Sequence, residues 1–233
     1  MKFNFDKQKL IVISLGGSIF YPNELDVAYL KEFANEIRQY VSEGYRFIII
    51  TGGGRLCRVY QEAARTVGKP TDADLDWIGI ASTRLNAQLL RSILTDIAHP
   101  EVIEDPSHPP AVTKPVVIGS GWIPGRSSDH DSAMLAIHYG GEAVINLSTA
   151  DFVYTADPKK DPSAKKLFDV TWKEYMGYIP NDWKPGMSAP FDPTAAKHAA
   201  EHNLTVCMAN GRDLVNLRNL IEGREAQGTM IHS

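Results

Sequence analysis

Residues 9–18 read KLIVISLGGS and residues 47–54 read FIIITGGG. Each stretch is a short β-branched apolar run that ends abruptly in glycine. Continuous apolar runs of this length suit strands buried on both faces, as in a parallel sheet, better than the alternating pattern of half-exposed strands. Lys9–Ser14 and Phe47–Ile50 are therefore predicted strands. Between them, Leu30, Phe33, Ala34, Ile37 and Val41 recur at helical spacing within Leu25–Val41, and Gly44 stops that helix. A buried strand, a helix and a second buried strand, with glycine at both strand ends, is the repeating unit of an α/β protein.

The unit recurs along the chain. Helices are predicted over Leu56–Val67 and Leu75–Ile97, the latter with Leu85, Leu89 and Ile93 on one face. A strand at Val116–Ile118 leads into the Gly119–Ser128 loop, followed by a helix at Asp131–Tyr139 and a strand at Ala143–Leu147. Phe191–His202 reads as a helix with Asp192 near its N-cap, Thr205–Met208 as a strand and Leu214–Ile221 as the closing helix. Two Pro-rich stretches, His99–Pro115 and Tyr178–Pro193, read as long loops. The expected architecture is an α/β fold, a three-layer α/β/α sandwich with a mainly parallel central sheet, in one domain spanning 1–233.

Composition narrows the class. Of 233 residues, 43% are hydrophobic and 22% charged, with 24 Lys+Arg against 28 Asp+Glu for a net charge of −4. That balance describes a globular chain and disfavours a nucleic-acid binder, which needs a concentrated basic surface. No apolar stretch approaches the ~20 residues of a membrane span, and Leu10–Leu15 is too short for a signal peptide core. Cys57 and Cys207 match no metal-ligand spacing and read as reduced thiols, so a cytoplasmic location is expected.

In open α/β sheets, ligands bind outside the carboxyl ends of the strands. Here three strands end in Gly16-Gly17-Ser18, Gly52-Gly53-Gly54 and Gly119-Ser120-Gly121. Glycine lets the backbone approach a ligand closely, and successive N–H groups at a helix start form a nest for anions. Three such loops on one sheet edge point to a polyphosphate or nucleotide. Neither G-x-x-x-x-G-K-[ST] nor a G-x-G-x-x-G after the first strand is present, which disfavours P-loop ATPases and simple dinucleotide dehydrogenases.

The most specific segment is Asp151–Lys166, DFVYTADPKKDPSAKK. Its ordinary reading is a solvated charged loop with Asp-Pro turns. Its order, however, resembles the nucleotide-donor loop of the amino acid kinase superfamily, in particular the uridylate kinases. The resemblance covers almost the whole chain. It runs through Leu15–Ser18, Gly52–Gly54 with Arg58, Asp76–Gly79 with Thr83–Ala87, Pro124–Asp129, Val153–Pro158, Phe191–Pro193 with Ala195–Lys197, and Gly228–Ile231. The reading GGS in the first loop is most similar to archaeal-type members.

What the resemblance implies is transfer of the γ-phosphoryl group of ATP to UMP, giving ADP and UDP in pyrimidine nucleotide biosynthesis. Residues 1–142 would form the acceptor lobe and 143–233 the ATP lobe. Gly16, Gly17, Ser18, Gly54, Arg58, Ser148, Asp151, Tyr154 and Asp157 would hold ATP. Gly53, Asp76, Thr83 and the loop Gly121, Trp122, Ile123, Pro124, Gly125, Arg126, Ser127 and Ser128 would hold UMP. Arg58, Asp129, Lys160 and Asp192 are the catalytic candidates, with Asp129 and Asp192 orienting cations or holding metal through water. Mg²⁺ would arrive with ATP, no dedicated protein metal site is identified, and a homohexamer is implied. Each residue also has a plain structural reading: Arg58 as a surface ion-pair partner, Asp192 as an N-cap, Asp76 as a helix start, Tyr154 as a core aromatic.

Three positions depart from the family pattern. Ser14 stands where many amino acid kinases have lysine, which leaves Arg55, Arg126 or Lys160 to supply a cation. Phe152 stands where the donor signature has glycine, and Ser127-Ser128 replace two threonines. Two other readings stay open: a kinase of another small phosphate or carboxylate acceptor, and a non-catalytic nucleotide- or oxyanion-binding protein on the same fold.

Overall fold

The computed structural model describes residues 1–180 and 189–233; residues 181–188, within the 178–193 loop, lie outside the described residues. In chain order the elements are β1 (Leu10–Leu15), α1 (Gly17–Phe20), α2 (Val27–Ser42), β2 (Arg46–Thr51), α3 (Gly54–Val67), α4 (Asp72–Ile93), β3 (Val116–Gly119), α5 (Ser128–His138) and β4 (Ala143–Ser148). They continue with β5 (Val153–Tyr154), β6 (Lys166–Leu167), β7 (Asp169–Thr171), α6 (Trp172–Met176), α7 (Pro193–Glu201), β8 (Thr205–Asn210), α8 (Leu214–Ile221) and β9 (Thr229–His232).

Seven strands form one sheet in the order β3-β2-β1-β4-β8-β9-β7, and β5 and β6 pair as a separate antiparallel hairpin. Among the described residues, only the β8–β9 pairing in the large sheet is antiparallel. Alternation along the strands divides the core in two. Ile11, Ile13, Leu15, Phe47, Ile49 and Ile145 face one layer with α2, α4 and α8; Val12, Ile48, Ile50, Val144 and Val206 face the other with α5, α6 and α7. Both faces are thus covered, which is why these strands read as unbroken apolar runs. The expected three-layer sandwich is observed.

One expectation about α4 is corrected. Leu85 is 61% exposed, and the inward face carries Ile80, Thr83, Asn86, Ala87 and Leu90. Leu89 and Ile93 do pack against the core, but two of the most buried residues are polar because they support loops, and apolar spacing alone leaves them out. The helix also starts earlier, at a capping box in which Thr71 and Asp74 satisfy each other's backbone donors. Cys57 and Cys207 are both free thiols. Among the described residues, no helix is long and apolar enough to cross a membrane.

Candidate active site

The parallel strands β1, β2, β3 and β4 all deliver their carboxyl ends to the same edge. There the first two glycine loops meet backbone to backbone. A Cβ on Gly17 would lie 2.3 Å from the Gly54 nitrogen and 2.4 Å from the Gly52 carbonyl oxygen. Gly54 has φ +63°, a left-handed conformation that favours glycine. Helix α4 holds this junction from behind: Asn86 Nδ2 donates to the Gly52 carbonyl at 2.8 Å, and Thr51 Oγ1 donates to the Thr83 carbonyl at 3.0 Å. Gly53 caps α3 and Gly16 caps α1, so two helix N-termini open beside each other. From the exposed face of α3, Arg58 Nη2 donates to Ser18 Oγ at 3.1 Å and ties the two loops together.

The third loop, 121–128, is pinned at three backbone donors. Gly121 N donates to Thr83 Oγ1 at 2.8 Å, Trp122 N to Asp131 Oδ2 at 3.2 Å and Gly125 N to Asp76 Oδ2 at 2.7 Å. Ile123 and Pro124 are half-buried between these anchors. Arg126 Nη1 lies 3.0 Å from His130 Nε2. Arginine can only donate, so this imidazole nitrogen accepts and His130 is neutral. Burial first, then the charge of Arg126, pushes the His130 pKa down to about 4. Ser127 caps α5 by accepting from His130 N, and its hydroxyl donates to Asp192.

Acids gather beneath this loop. Asp129 Oδ1 accepts from Ser14 Oγ at 3.0 Å and from Asn146 Nδ2 at 2.7 Å. Ser14, standing where lysine is usual, therefore touches one of the two acids singled out in the sequence. Burial and the charge of Asp192 push Asp129 up to about 7. Asp192 is itself raised by burial, although its Oδ1 caps α7 by accepting from Thr194 N at 2.7 Å and Ala195 N at 3.0 Å. It is both an N-cap and a member of the acid group. Asp131, fully buried, is pushed up to about 8 by burial, and its Oδ1 has no hydrogen-bond partner among the described residues.

The donor-side residues are arranged differently. Ser148 ends β4 and its hydroxyl accepts from Ala150 N at 3.1 Å; Asn210 Nδ2 donates to Asp151 Oδ1 at 2.8 Å. Tyr154 pairs with Lys166 in the small hairpin. Asp157 caps a turn, accepting from Lys159 N at 3.0 Å, and Lys160 Nζ lies 3.9 Å from Asp157 Oδ2 with its side chain 86% exposed. The structure thus brings Gly16–Ser18, Gly52–Gly54, Arg58, Asp129 and Asp192 into one constellation. It leaves Lys160 on the outer turn of the hairpin.

Sequence reading missed Asn146, Asp131 and His130, and it placed Asn86 only within the Thr83–Ala87 motif, without its role as a loop buttress. The available signal was a lone polar residue inside an apolar run, clearest for Asn146 in the strand Ala143–Ser148.

A parallel sheet whose strand ends carry paired glycine loops over buried acids defines an α/β phosphotransferase of one family. Residues 9–210 match the Amino acid kinase family, and the chain belongs to it. It is 37% identical over 208 residues to the uridylate kinase of Methanococcoides burtonii, an alignment covering 88% of this chain and 87% of that one. It is 32% identical to the uridylate kinase of Thermococcus onnurineus over 95% of this chain and 98% of that relative. A solved uridylate kinase from Archaeoglobus fulgidus superposes with a TM-score of 0.79 at 32% identity, covering 95% of this chain and 99% of that structure. The UMP kinase of Bacillus anthracis shares the fold, with a TM-score of 0.78 at 24% identity.

Proposed function

We propose that this chain transfers the γ-phosphoryl group of ATP to the phosphate of UMP, producing ADP and UDP for pyrimidine nucleotide biosynthesis. The observation that carries the reading is the junction of the two glycine loops, bridged by Arg58 and standing over Asp129 and Asp192, in a chain similar to uridylate kinases along almost its full length.

The chemistry fits these residues. A nucleotide monophosphate has its second pKa near ~6, so the attacking oxygen is already ionised and needs no general base. The protein's work is to align two polyanions and to offset charge on the transferring group. Gly16, Gly17 and Ser18 with Gly54 line the ATP phosphates, and Arg58 offers a guanidinium fork between the loops. Gly53, Asp76, Thr83 and loop 121–128 hold UMP, the loop preshaped by its three backbone anchors. Ser148, Asp151, Tyr154 and Asp157 hold the rest of ATP, with Lys160 reaching inward when the hairpin closes over it. In this reading residues 1–142 form the acceptor lobe and 143–233 the ATP lobe.

Mg²⁺ enters as part of Mg-ATP. Asp129 and Asp192 suit it, because paired carboxylate oxygens are what a hard divalent cation selects, and a cation between them offsets the Asp192 charge that helps raise Asp129. We further propose a cytoplasmic homohexamer. The exposed Val59, Tyr60, Val67, Trp77 and Leu85 on α3 and α4 offer apolar surface for one of its contacts.

The test is ADP formation from Mg-ATP with UMP, CMP, dUMP, GMP, AMP and no acceptor. Turnover that depends on UMP and exceeds that with CMP is expected. No turnover with any acceptor, together with stabilisation by ATP, would replace the kinase by a nucleotide-binding protein.

A further inference from the structure

The last turn of α7 carries chemistry that phosphoryl transfer does not use. Its sequence from residue 198 is HAAEH, placing His198, Glu201 and His202 at positions i, i+3 and i+4 on one face. One ligand atom from each of the three lies within 4.8 Å of the others. We propose that this turn binds a borderline transition-metal dication of the Zn²⁺ class through the two imidazoles and the carboxylate, with its remaining position open to water.

Four features support the assignment. Two histidines four apart on a helix is a spacing that brings both imidazoles to one metal ion. The outer contacts are in place as well. His202 Nδ1 lies 2.9 Å from the His198 carbonyl oxygen. A carbonyl only accepts, so Nδ1 carries the proton and Nε2 keeps its lone pair for a metal, the arrangement typical of metal-bound histidine. His198 is held on its other side by stacking on the buried His130, ring centroids 5.2 Å apart and 23° from parallel. Its orientation is therefore set by packing before any ligand arrives. Finally, the site sits at a helix C-terminus, where the backbone dipole and the last carbonyls favour a cation.

Zn–N bonds of about 2.0–2.1 Å require ligand atoms somewhat closer than those observed. Glu201 and His202 are exposed and can close that gap by side-chain rotation. Imidazole selects Zn²⁺, Ni²⁺ or Cu²⁺ over Mg²⁺. The ion accompanying ATP therefore does not compete for this site. The proposal does not rest on the assignment of UMP as acceptor.

The test is calorimetric titration of the untagged chain with Zn²⁺, repeated on His202→Ala, Glu201→Gln and His108→Ala, with Cu²⁺ resonance spectra to count ligating nitrogens. His202 is exposed, so its removal leaves the fold intact, and a melting curve verifies this. The expected result is one Zn²⁺ per chain, bound at least tenfold more weakly by His202→Ala and unchanged in His108→Ala, with two nitrogens on Cu²⁺. Absence of saturable binding, or binding that His202→Ala weakens less than tenfold, overturns the site.

Discussion

Where β1 and β2 end, residues 16–18 and 52–54 lie backbone against backbone, buttressed by Asn86 and Thr51. Where β4 ends, residues 151–166 run out into a hairpin held by two residue pairs, Val153 with Leu167 and Tyr154 with Lys166, and by turns that close on their own side chains. The first region is defined by what cannot fit there, the second by local bonds that water can replace. The glycine junction is fixed by close backbone packing; the hairpin is held by few bonds, the deepest of them Val153 N on Thr229 Oγ1. An enzyme that must align two polyanions and then release one needs both kinds of region.

Gly17→Ala should break the comparison most severely. A Cβ there overlaps the Gly54 nitrogen and Gly52 oxygen, so the two loops must separate. Overpacking of this kind costs ~1–3 kcal/mol, and a shift near 1 Å at a reacting centre costs ~100-fold in rate. UMP-dependent ADP formation should fall at least ~100-fold, with a lowered melting temperature. Near-normal activity in Gly17→Ala would show that the junction is not the phosphate cradle.

Asp192→Asn separates charge from architecture. Asparagine keeps a side-chain oxygen to cap α7, so the helix start survives. The carboxylate is lost, and with it the pairing with Asp129. Turnover should fall by roughly 10–100-fold, as when an outer partner of a metal is removed. The melting temperature should hold or rise, because Asp129 no longer faces a second carboxylate. A fall in stability with unchanged turnover would assign Asp192 to capping alone.

A pH series sharpens the contrast, because the raised acids lie under the acceptor loop and not in the hairpin. Burial pushes Asp131 up to about 8, whereas an unfolded Asp ionises near ~3.9. The folded chain therefore holds a proton that the unfolded chain has lost. Its stabilising contribution is complete below the unfolded value and disappears as pH rises through about 8. The melting temperature of the ligand-free chain should decline from pH 5 to pH 8. Asp131→Asn, which cannot ionise and still accepts from Trp122 N, should flatten that decline and melt higher at pH 8. An unchanged slope in the variant would place the proton elsewhere.

How much of this was legible follows the same division. The buried strands and their glycine ends declared themselves because parallel strands covered on both faces must be apolar throughout, and close backbone approach demands glycine. Asp192 is visible near a helix start, and Asp129 through the Pro124–Asp129 motif. The inward face of α4 is legible only in part: Leu89 and Ile93 pack inward while Leu85 does not, because Thr83 and Asn86 face inward to serve loops 52–53 and 121, and polar residues there disguise the helical phase. Asp131 was passed over since a buried acid with an unpartnered oxygen has no local sequence signature. The hairpin was seen as motif but not as structure: a two-residue pairing leaves no periodicity to read. Strand β9 was likewise recognised only as Gly228–Ile231, although Thr229 Oγ1 accepts from Val153 N at 2.9 Å and so anchors the hairpin to the sheet.

The smallest expected effects belong to the hairpin, and they carry the finest distinction. Phe152 packs edge-on against Phe168 at 5.2 Å, and Lys166 Nζ lies 4.5 Å above its ring. The side chain that replaces the family's glycine therefore fastens the hairpin's base. Phe152→Gly removes that fastening and adds backbone freedom, so the KM for ATP should rise several-fold while kcat changes little; exposed aromatic and cation–π contacts are each worth ~0.5–1 kcal/mol. Lys160→Ala, at an 86% exposed position, should act mainly on kcat if the hairpin closes on the phosphates, and on neither constant if Lys160 stays with Asp157. Measured together, the two variants separate a hairpin that merely binds ATP from one that brings a charge to the reaction. If both variants were silent, transfer would run on the glycine junction, Arg58 and the two acids, and the hairpin would be a cover for the nucleotide and no part of the charge machinery.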